Sequence, residues 1–388
     1  MTDEFLAAPA FPGRILLVCH YYAPHVGGIE SVVQAEAQRL AALGHDVTVL
    51  TSADRSSVRD EGGVRVVRVR AWNGFEHRVG VPFPVFSPRL LAVAVRLARR
   101  ADIVHVHDCF YLSSWSAGLA ARLAGRPLVL SQHVAVVEHT SILVRAIQNL
   151  VYGTMGRLLV RRARRVFVIN EYVARFVAGL GAGPQKVVVL ANGVDQERYR
   201  PAGDEAEREL LRKEHNLPLD RPLALFVGRL VPKKGIDIAL AARTGEFDLV
   251  VVGSGDAAAL SGLPGVHVLG ALQPDRVAEL FRACDVFVLP TTGEVFPLVV
   301  KEAMSSGLPV VTTDEPDYRA PGIEHAALAL VPRDAAAVGV AIRRTIADEQ
   351  VRNRMSECSR AYAQAHFSWS EHLELLREHY RAAAESSP

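Results

Sequence analysis

Residues 286–304 read VFVLPTTGEVFPLVVKEAM. Val286–Pro290 is a short, β-branched, apolar run of the kind that forms a buried strand. Thr291–Gly293 is turn-prone, and from Leu298 the apolar positions recur at helical spacing, so a helix over Leu298–Ser306 is expected. Strand, loop, helix is the unit from which open parallel sheets are built, and ligands bind in such sheets just past the carboxyl ends of the strands. The loop before Leu298 is therefore the first place to look for chemistry. Glu294 lies in it, outside the helix, and Glu302 lies inside the helix with seven residues between them. The N–H groups around Leu298–Val300 begin the helix without partners inside it, which makes them a cradle for an anion. Glu302 sits among Leu298, Val299 and Ala303, and a carboxylate so placed needs partners. Ribose hydroxyls would serve, and so would a salt bridge to a neighbour such as Arg229.

The same unit occurs upstream. Leu223–Val227 is a strand closing on GRLVPKKG, residues 228–235, with a helix expected from Gly235. Arg229 can fork onto phosphate oxygens and Lys234 can add a point charge, a pair suited to a diphosphate; a solvated basic loop is the plain alternative. Strands at Leu249–Gly253, Val266–Leu269 and Pro309–Thr312 and helices at Pro201–Pro218 and Pro274–Arg282 complete one α/β unit. The first half has its own set. Strands are expected at Arg14–Cys19, Asp46–Thr51, Val64–Arg70, Ile103–His107, Leu128–Gln132 and Val166–Asn170. Helices are expected at Ile29–Leu43, Pro88–Arg100, Leu112–Leu123 and, as one long stretch, Ile142–Arg164. The turn-rich Leu190–Tyr199, with Asn192-Gly193-Val194-Asp195, reads as a hinge. The expected division is a tail over 1–13, a first domain over 14–191, a second over 192–365 and a closing helical segment over 366–388 that packs back on the first.

Two post-strand segments of the first half stand out. His20 to Gly28 ends in two glycines at a helix start, where backbone N–H groups can approach an anion; a tight strand-to-helix turn explains them equally well. Ser131-Gln132-His133 ends a strand and points a histidine toward a ligand, although a lone histidine is more often a structural hydrogen-bonder. His105, His107 and Asp108 imitate a metal set, but two histidines two apart on one strand share one face of a buried sheet, and a structural role is expected.

Bulk properties bound the possibilities. At 388 residues the chain is too long for one compact core. About half of it is apolar and about a fifth charged, which excludes a disordered chain. The four cysteines, Cys19, Cys109, Cys284 and Cys358, form no C-x-x-C pair, so neither a disulfide framework nor a zinc site is expected, in keeping with a reducing cytoplasm. No basic start with a long apolar run opens the sequence, and no apolar run reaches spanning length, so neither a signal peptide nor a spanning helix is expected. The net charge of +2 is uneven: residues 14–195 hold 22 Lys/Arg against 12 Asp/Glu, and residues 196–388 hold 22 against 28. The segment 142–165 mixes Leu, Ile and Val with Arg145, Arg157, Arg161, Arg162, Arg164 and Arg165. That suits an anionic membrane surface and equally an ordinary charged helix face. No basic-aromatic motif appears, and nucleic-acid binding is not expected.

In combination, Gly-Gly-Ile-Glu after the first strand, GRLVPKKG, VVGSGD, the two glutamates leading into EAMSSGLPVV, and the closing Phe367-Ser368-Trp369 resemble glycosyltransferase family 4 over residues 14–380. The resemblance implies the GT-B fold, two Rossmann-like domains whose parallel sheets face one another across a cleft. The acceptor would lie on the first domain and a nucleotide-diphosphate sugar on the second. It further implies retaining, metal-independent transfer of a hexosyl group without a cofactor. Arg229 and Lys234 would hold the donor diphosphate, Glu302 the ribose, and Glu294 the sugar with the backbone of Phe296, Pro297, Leu298 and Val299 beside it. Gly28 would approach the phosphate, His133 the donor sugar, and Leu269, Ala271 and Leu272 the base. Catalytic roles would fall to Glu294, His133, Arg229 and Lys234. Two positions depart from the pattern: Pro297 replaces a usual glycine and removes one N–H, and Asp314-Glu315-Pro316-Asp317-Tyr318 replaces a usual Gly-Gly-x-x-Glu.

The implied acceptor is lipid-linked, a glycan or a small molecule. The implied location is cytoplasmic, or peripheral on the inner membrane face through 142–165. Three alternatives remain open on sequence: a nucleotide-sugar epimerase of similar fold, a non-catalytic sugar-nucleotide binder, and a nicotinamide oxidoreductase. For the last, neither half shows G-x-G-x-x-G after a strand.

Overall fold

Short runs of Val, Leu and Ile that are apolar on both faces have only one stable home, the inside of a parallel sheet covered by helices. The computed structural model describes residues 13–25, 27–74, 83–136, 142–294, 296–315, 318 and 326–385. Its backbone divides into two compact units, Met1–Asn192 with Ser370–Pro388, and Gly193–Trp369.

In the first unit the parallel strands are β1 (Arg14–Val18), β2 (Asp46–Ala53), β4 (Val64–Trp72), β6 (Ile103–His107), β7 (Leu128–Gln132), β8 (Arg165–Val168) and β9 (Val187–Val189). β3 (Ser57–Glu61) and β5 (Val85–Phe86) pair antiparallel with β4. The order is β3-β4-β2-β1-β6-β7-β8-β9, so the strand order reverses between β1 and β6. Helix Gly28–Ala42 buries Val32, Val33, Ala37 and Leu40 at helical spacing, and helix Trp369–Glu385 adds Leu373, Leu376, Tyr380 and Ala383 to the same core. The hairpin strand β3 carries no strand signal in the sequence, because Ser57-Val58-Arg59-Asp60-Glu61 is polar and solvent-facing.

The long helical stretch expected over Ile142–Arg164 is present from Ile142 to Arg162, with a π-turn at Tyr152–Gly156 inside it. Two glycines, Gly153 and Gly156, lie in that turn and weaken the helix there. Strand β8 then begins at Arg165 and stops at Val168, not Asn170, because Asn170 caps the next helix, its side chain accepting from the Val173 N–H.

In the second unit β10 (Leu223–Val227), β11 (Asp248–Val252), β12 (Val266–Gly270), β13 (Val286–Leu289), β14 (Val310–Thr313) and β15 (Leu328–Val331) are all parallel, in the order β12-β11-β10-β13-β14-β15. The reversal here falls between β10 and β13. Phe226, Phe287, Val250 and Leu289 are fully buried at the centre. Helix Leu298–Ser305 lies between β13 and β14 in the chain and buries Val300, Ala303 and Met304. No helix among the described residues is long and apolar enough to cross a membrane.

Candidate functional site

A parallel sheet opens a crevice at the carboxyl ends of the two strands where its order reverses. In the second unit those ends are Val227 and Leu289, and they deliver the two loops singled out in the sequence, Gly228–Gly235 and Pro290–Pro297. The loops are in contact. Thr292 N–H donates to the Lys233 carbonyl at 3.2 Å, and the Thr291 hydroxyl donates to the same carbonyl at 3.2 Å. Gly235 has φ +76°, and a Cβ there would meet the Pro290 carbonyl oxygen at 2.2 Å. Only glycine lets the chain turn into the helix Ile236–Ala241 this close to β13.

The loops bring Lys234 and Glu294 together. Lys234 Nζ lies 2.7 Å from both Glu294 oxygens, and the Thr291 hydroxyl lies 3.0 Å from Oε2, with its one hydrogen shared between that oxygen and the Lys233 carbonyl. Both charged side chains are mostly buried, at 15 % and 18 % exposure, so this pair is screened less than a surface bridge. An ammonium has three donors and its hydrogen bond to Glu294 Oε2 takes one, so donors remain for a further acceptor. Arg229 lies exposed on the first loop, and among the described residues it has no ion-pair partner. Phe296 is held at φ +47°, a left-handed conformation costly for an aromatic residue. Its ring packs on Tyr318 at 5.0 Å and on Phe367 at 5.6 Å. The helix then starts at Leu298 with no side-chain cap on Pro297. Val300 and Lys301 N–H donate back to the Pro297 carbonyl, so the helix start offers the N–H groups of Leu298 and Val299.

Glu302 does not meet Arg229. It is half-buried beside the Tyr199 hydroxyl, which donates to it, and under the influence of Arg198; burial pushes its carboxyl up to about 7. Its neighbour Lys301 is buried, with its ammonium 4.9 Å from the Phe367 ring centre and 5.4 Å from that of Phe296; burial lowers it to about 8. Leu269, in β12, and Leu272, just past it, are partly buried against the core, and Ala271 between them is exposed. Gly253 N–H donates to Gly270 there at 2.8 Å.

Three contributors are not evident from the sequence. Thr291 reads only as a turn residue, although a hydroxyl directly after a strand end is a recurrent ligand-loop feature. Tyr199 falls within the expected hinge. Arg333, just past β15, donates to the carbonyls of Pro290 and Pro232 and ties the two loops together; the sequence around it carries no motif.

In the first unit the reversal point lies between β1 and β6, which end beside His20 and His107. Gly28 opens the helix, and Glu30 in its first turn faces His25 Nδ1 at 3.4 Å and His20 Nε2 at 3.6 Å. Burial raises the Glu30 carboxyl, but the His25 hydrogen bond and the His20 charge outweigh it and leave it lowered. His133, 6 % exposed, directs Nε2 at His107 Nδ1 at 3.0 Å. The three metal-like groups go to different partners. His105 binds Tyr380 OH and Ser131 Oγ at 2.6 and 2.8 Å. His107 meets His133 and Glu36, while Asp108 accepts from Gln132 Nε2 at 3.0 Å and from Phe110 N–H. Glu36, His105 and His107 do place ligand atoms within 4.8 Å of one another, but both His105 nitrogens are engaged, so two ligands remain. Asp108 has φ +68°, and burial pushes its carboxyl up to about 7. A cavity of about 10 Å³ is lined by Glu36, Ser131, Gln132, His133, Asn192 and His372, among others.

Comparison with known proteins supplies the family. The model for Glycosyltransferase Family 4 matches residues 26–198, and that for Glycosyl transferases group 1 matches residues 207–362. The chain is 32% identical over 346 residues to the D-inositol 3-phosphate glycosyltransferase of Acidothermus cellulolyticus, covering 78% of this chain and 76% of that protein. It is 32% identical over 310 residues to a GDP-mannose-dependent alpha-mannosyltransferase of Mycobacterium tuberculosis, covering 78% and 79%. Its fold is similar to that of Anabaena Alr3699/HepE, solved in complex with UDP-glucose, with a TM-score of 0.73 at 19% identity over 95% of this chain and 99% of that one. The chain therefore belongs to glycosyltransferase family 4 and is a glycosyltransferase of the GT-B fold.

Proposed function

We propose that the enzyme moves a hexosyl group, with retention of configuration and without a metal or cofactor, from a UDP- or GDP-linked sugar to a lipid-linked, glycan or small-molecule acceptor. The observation that carries this is the cluster in the second unit: Lys234 clasped by Glu294, which Thr291 holds in turn, exposed Arg229 on the same loop, and the uncapped helix start at Leu298. Departure of a nucleoside diphosphate builds negative charge on its β-phosphate. Lys234 and the Leu298 and Val299 N–H groups are donors fixed before the reaction begins, which is the effective form of such stabilisation, and the exposed Arg229 adds a further donor. Glu302, with Tyr199 behind it, accepts from the ribose hydroxyls. Leu269, Ala271 and Leu272 meet the base, Gly28 approaches the phosphate, and His133 meets the sugar.

Glu294 binds sugar hydroxyls and is not a nucleophile. Both its oxygens lie 2.7 Å from an ammonium, which lowers their nucleophilicity. The departing phosphate itself takes the acceptor's proton on the same face. Family membership, with relatives named as transferases, does not favour the epimerase alternative. A thermal-shift and calorimetry panel of UDP, GDP, UDP-glucose and GDP-mannose tests donor binding, and mass analysis of trapped enzyme tests the role of Glu294. Binding of one nucleotide series without a glycosyl–Glu294 adduct is the expected result. Binding of none, or an adduct, overturns the corresponding part.

An anionic membrane surface is proposed as a further partner. Ile142 and Leu150 are 75% and 66% exposed, and Arg145, Arg157, Arg161 and Arg162 are exposed near them. Arg164 and Arg165 are excluded from that face, since they reach Ala383 and His379 of the final helix. Co-sedimentation with anionic but not zwitterionic vesicles is the expected outcome, and equal behaviour with both removes the proposal.

A further inference from the structure

Helix Gly28–Ala42 carries an acid where its pattern calls for an apolar residue. Val32, Val33, Ala37 and Leu40 form the buried stripe, and Glu36 sits inside it at 1% exposure. A carboxylate in that position is costly unless its oxygens are matched. Oε1 lies 3.0 Å from His372 Nε2, and His372 Nδ1 donates to the Ala191 carbonyl at 2.8 Å. Oε2 faces His107 Nε2 at 3.5 Å, and neither of those two atoms has a hydrogen-bond partner among the described residues.

His107 passes this contact on. Its Nδ1 lies 3.0 Å from His133 Nε2, with the two rings within 10° of parallel. Burial, helped by the neighbouring imidazoles, holds His107 neutral, so its ring carries one N–H. Were that proton on Nδ1, the bare Nε2 would face carboxylate Oε2. With the proton on Nε2 the ring donates to the carboxylate, and its Nδ1 accepts. His133 must then donate from Nε2, and in the neutral form of that ring Nδ1 is left as an acceptor. His105 does not disturb the chain, because Tyr380 and Ser131 engage both its nitrogens.

We propose that Glu36 is a positioning residue: acting through His107, it fixes His133 in the Nε2–H form, so that His133 accepts a hydrogen bond from a sugar hydroxyl. The specificity follows from polarity. A hydroxyl can donate to Nδ1, whereas a fluorine in its place cannot. This consequence rests on the proposed contact between His133 and the sugar; the tautomers do not.

The test is a two-bond ¹H–¹⁵N correlation spectrum of the full chain with ¹⁵N-labelled histidine, assigned with His107→Asn and His133→Asn. The wild-type chain should show both His107 and His133 protonated on Nε2. In Glu36→Met no oxygen faces His107 Nε2, and His107 and His133 should lose their single Nε2–H form and show protons on Nδ1. A wild-type His133 protonated on Nδ1, or a His133 that is the same in Glu36→Met, overturns the proposal. The wild-type spectrum alone decides should that variant not fold. A kinetic arm uses UDP-glucose and GDP-mannose with single hydroxyls replaced by fluorine. The wild-type enzyme should discriminate against one analogue by about ten- to a hundredfold in kcat/KM, and Glu36→Met should bring that ratio towards one. Failure of every sugar to transfer would count against the donor assignment, while the spectra would still judge Glu36.

Discussion

The two units use the same topology and furnish its crevice in opposite ways. Where the strand order reverses in the second unit, the groups are ionic and partly exposed: Arg229, Lys234 and Glu294, on loops that glycine brings together. Where it reverses in the first, they are imidazoles and acids sunk to between 0% and 6% exposure: His20, His107, Asp108 and His133. Fixed charge in a half-open crevice suits a ligand that carries charge of its own. Buried imidazoles suit hydroxyls, which are recognised by the direction of a hydrogen bond. Fold alone therefore does not say what each unit binds, since the side chains after the strands decide it.

That contrast is most vulnerable at Lys234. Removing it both withdraws a donor from the diphosphate and leaves Glu294 unpaired beside an anion. Lys234→Ala should lower kcat/KM by about 10²–10³-fold or more. Adding Glu294→Gln should restore part of the loss, because the stranded charge is gone. Steady-state kinetics of the two variants would show whether they couple, and strict additivity would mean that the pair does not act as a unit. Arg229→Ala should cost about 10²-fold in the same assay, with no rescue by Glu294→Gln, since those two do not pair. Unchanged kinetics for Arg229→Ala would remove it from the leaving-group site.

Smaller effects appear as pH dependence, with a different sign of cause in each unit. Glu302 titrates near 7, so its accepting, ionised form grows as pH rises. Nucleoside diphosphate affinity should strengthen by about tenfold from pH 6 to pH 8, and calorimetry on Glu302→Gln should find that slope flattened. In the first unit, burial lowers His105 and His107 well below the usual histidine value. The unfolded chain therefore binds protons below about pH 6.5 that the folded chain refuses, and stability falls as pH drops through that range. His105→Asn should weaken this acid sensitivity in thermal melts between pH 7.5 and 5.5; an unaltered slope would assign it to other groups.

Much of the second unit's site is legible in its amino-acid order. Strand, loop and helix follow one another so regularly that spacing names Arg229, Lys234, Glu294 and the Leu298 helix start. Pairing is not legible in the same way. Nothing in the sequence says that Lys234 clasps Glu294, that Tyr199 and not Arg229 serves Glu302, or that Arg333 ties two loops together, because each depends on strands from distant parts of the chain lying side by side. The first unit hides more. Glu36 looks like one charged residue on one helix, and only its apolar neighbours Val32, Val33, Ala37 and Leu40 mark it as misplaced. The π-turn at Tyr152–Gly156 is signalled by Gly153 and Gly156, but the apolar periodicity on either side outweighs them.

The most direct measurement is a crystal soaked in turn with UDP, GDP, UDP-glucose and GDP-mannose. Diphosphate density is expected within hydrogen-bond reach of Arg229, Lys234 and the Leu298 and Val299 N–H groups, with the ribose against Glu302. A diphosphate bound anywhere else, with those groups untouched, would contradict the assignment of the donor site.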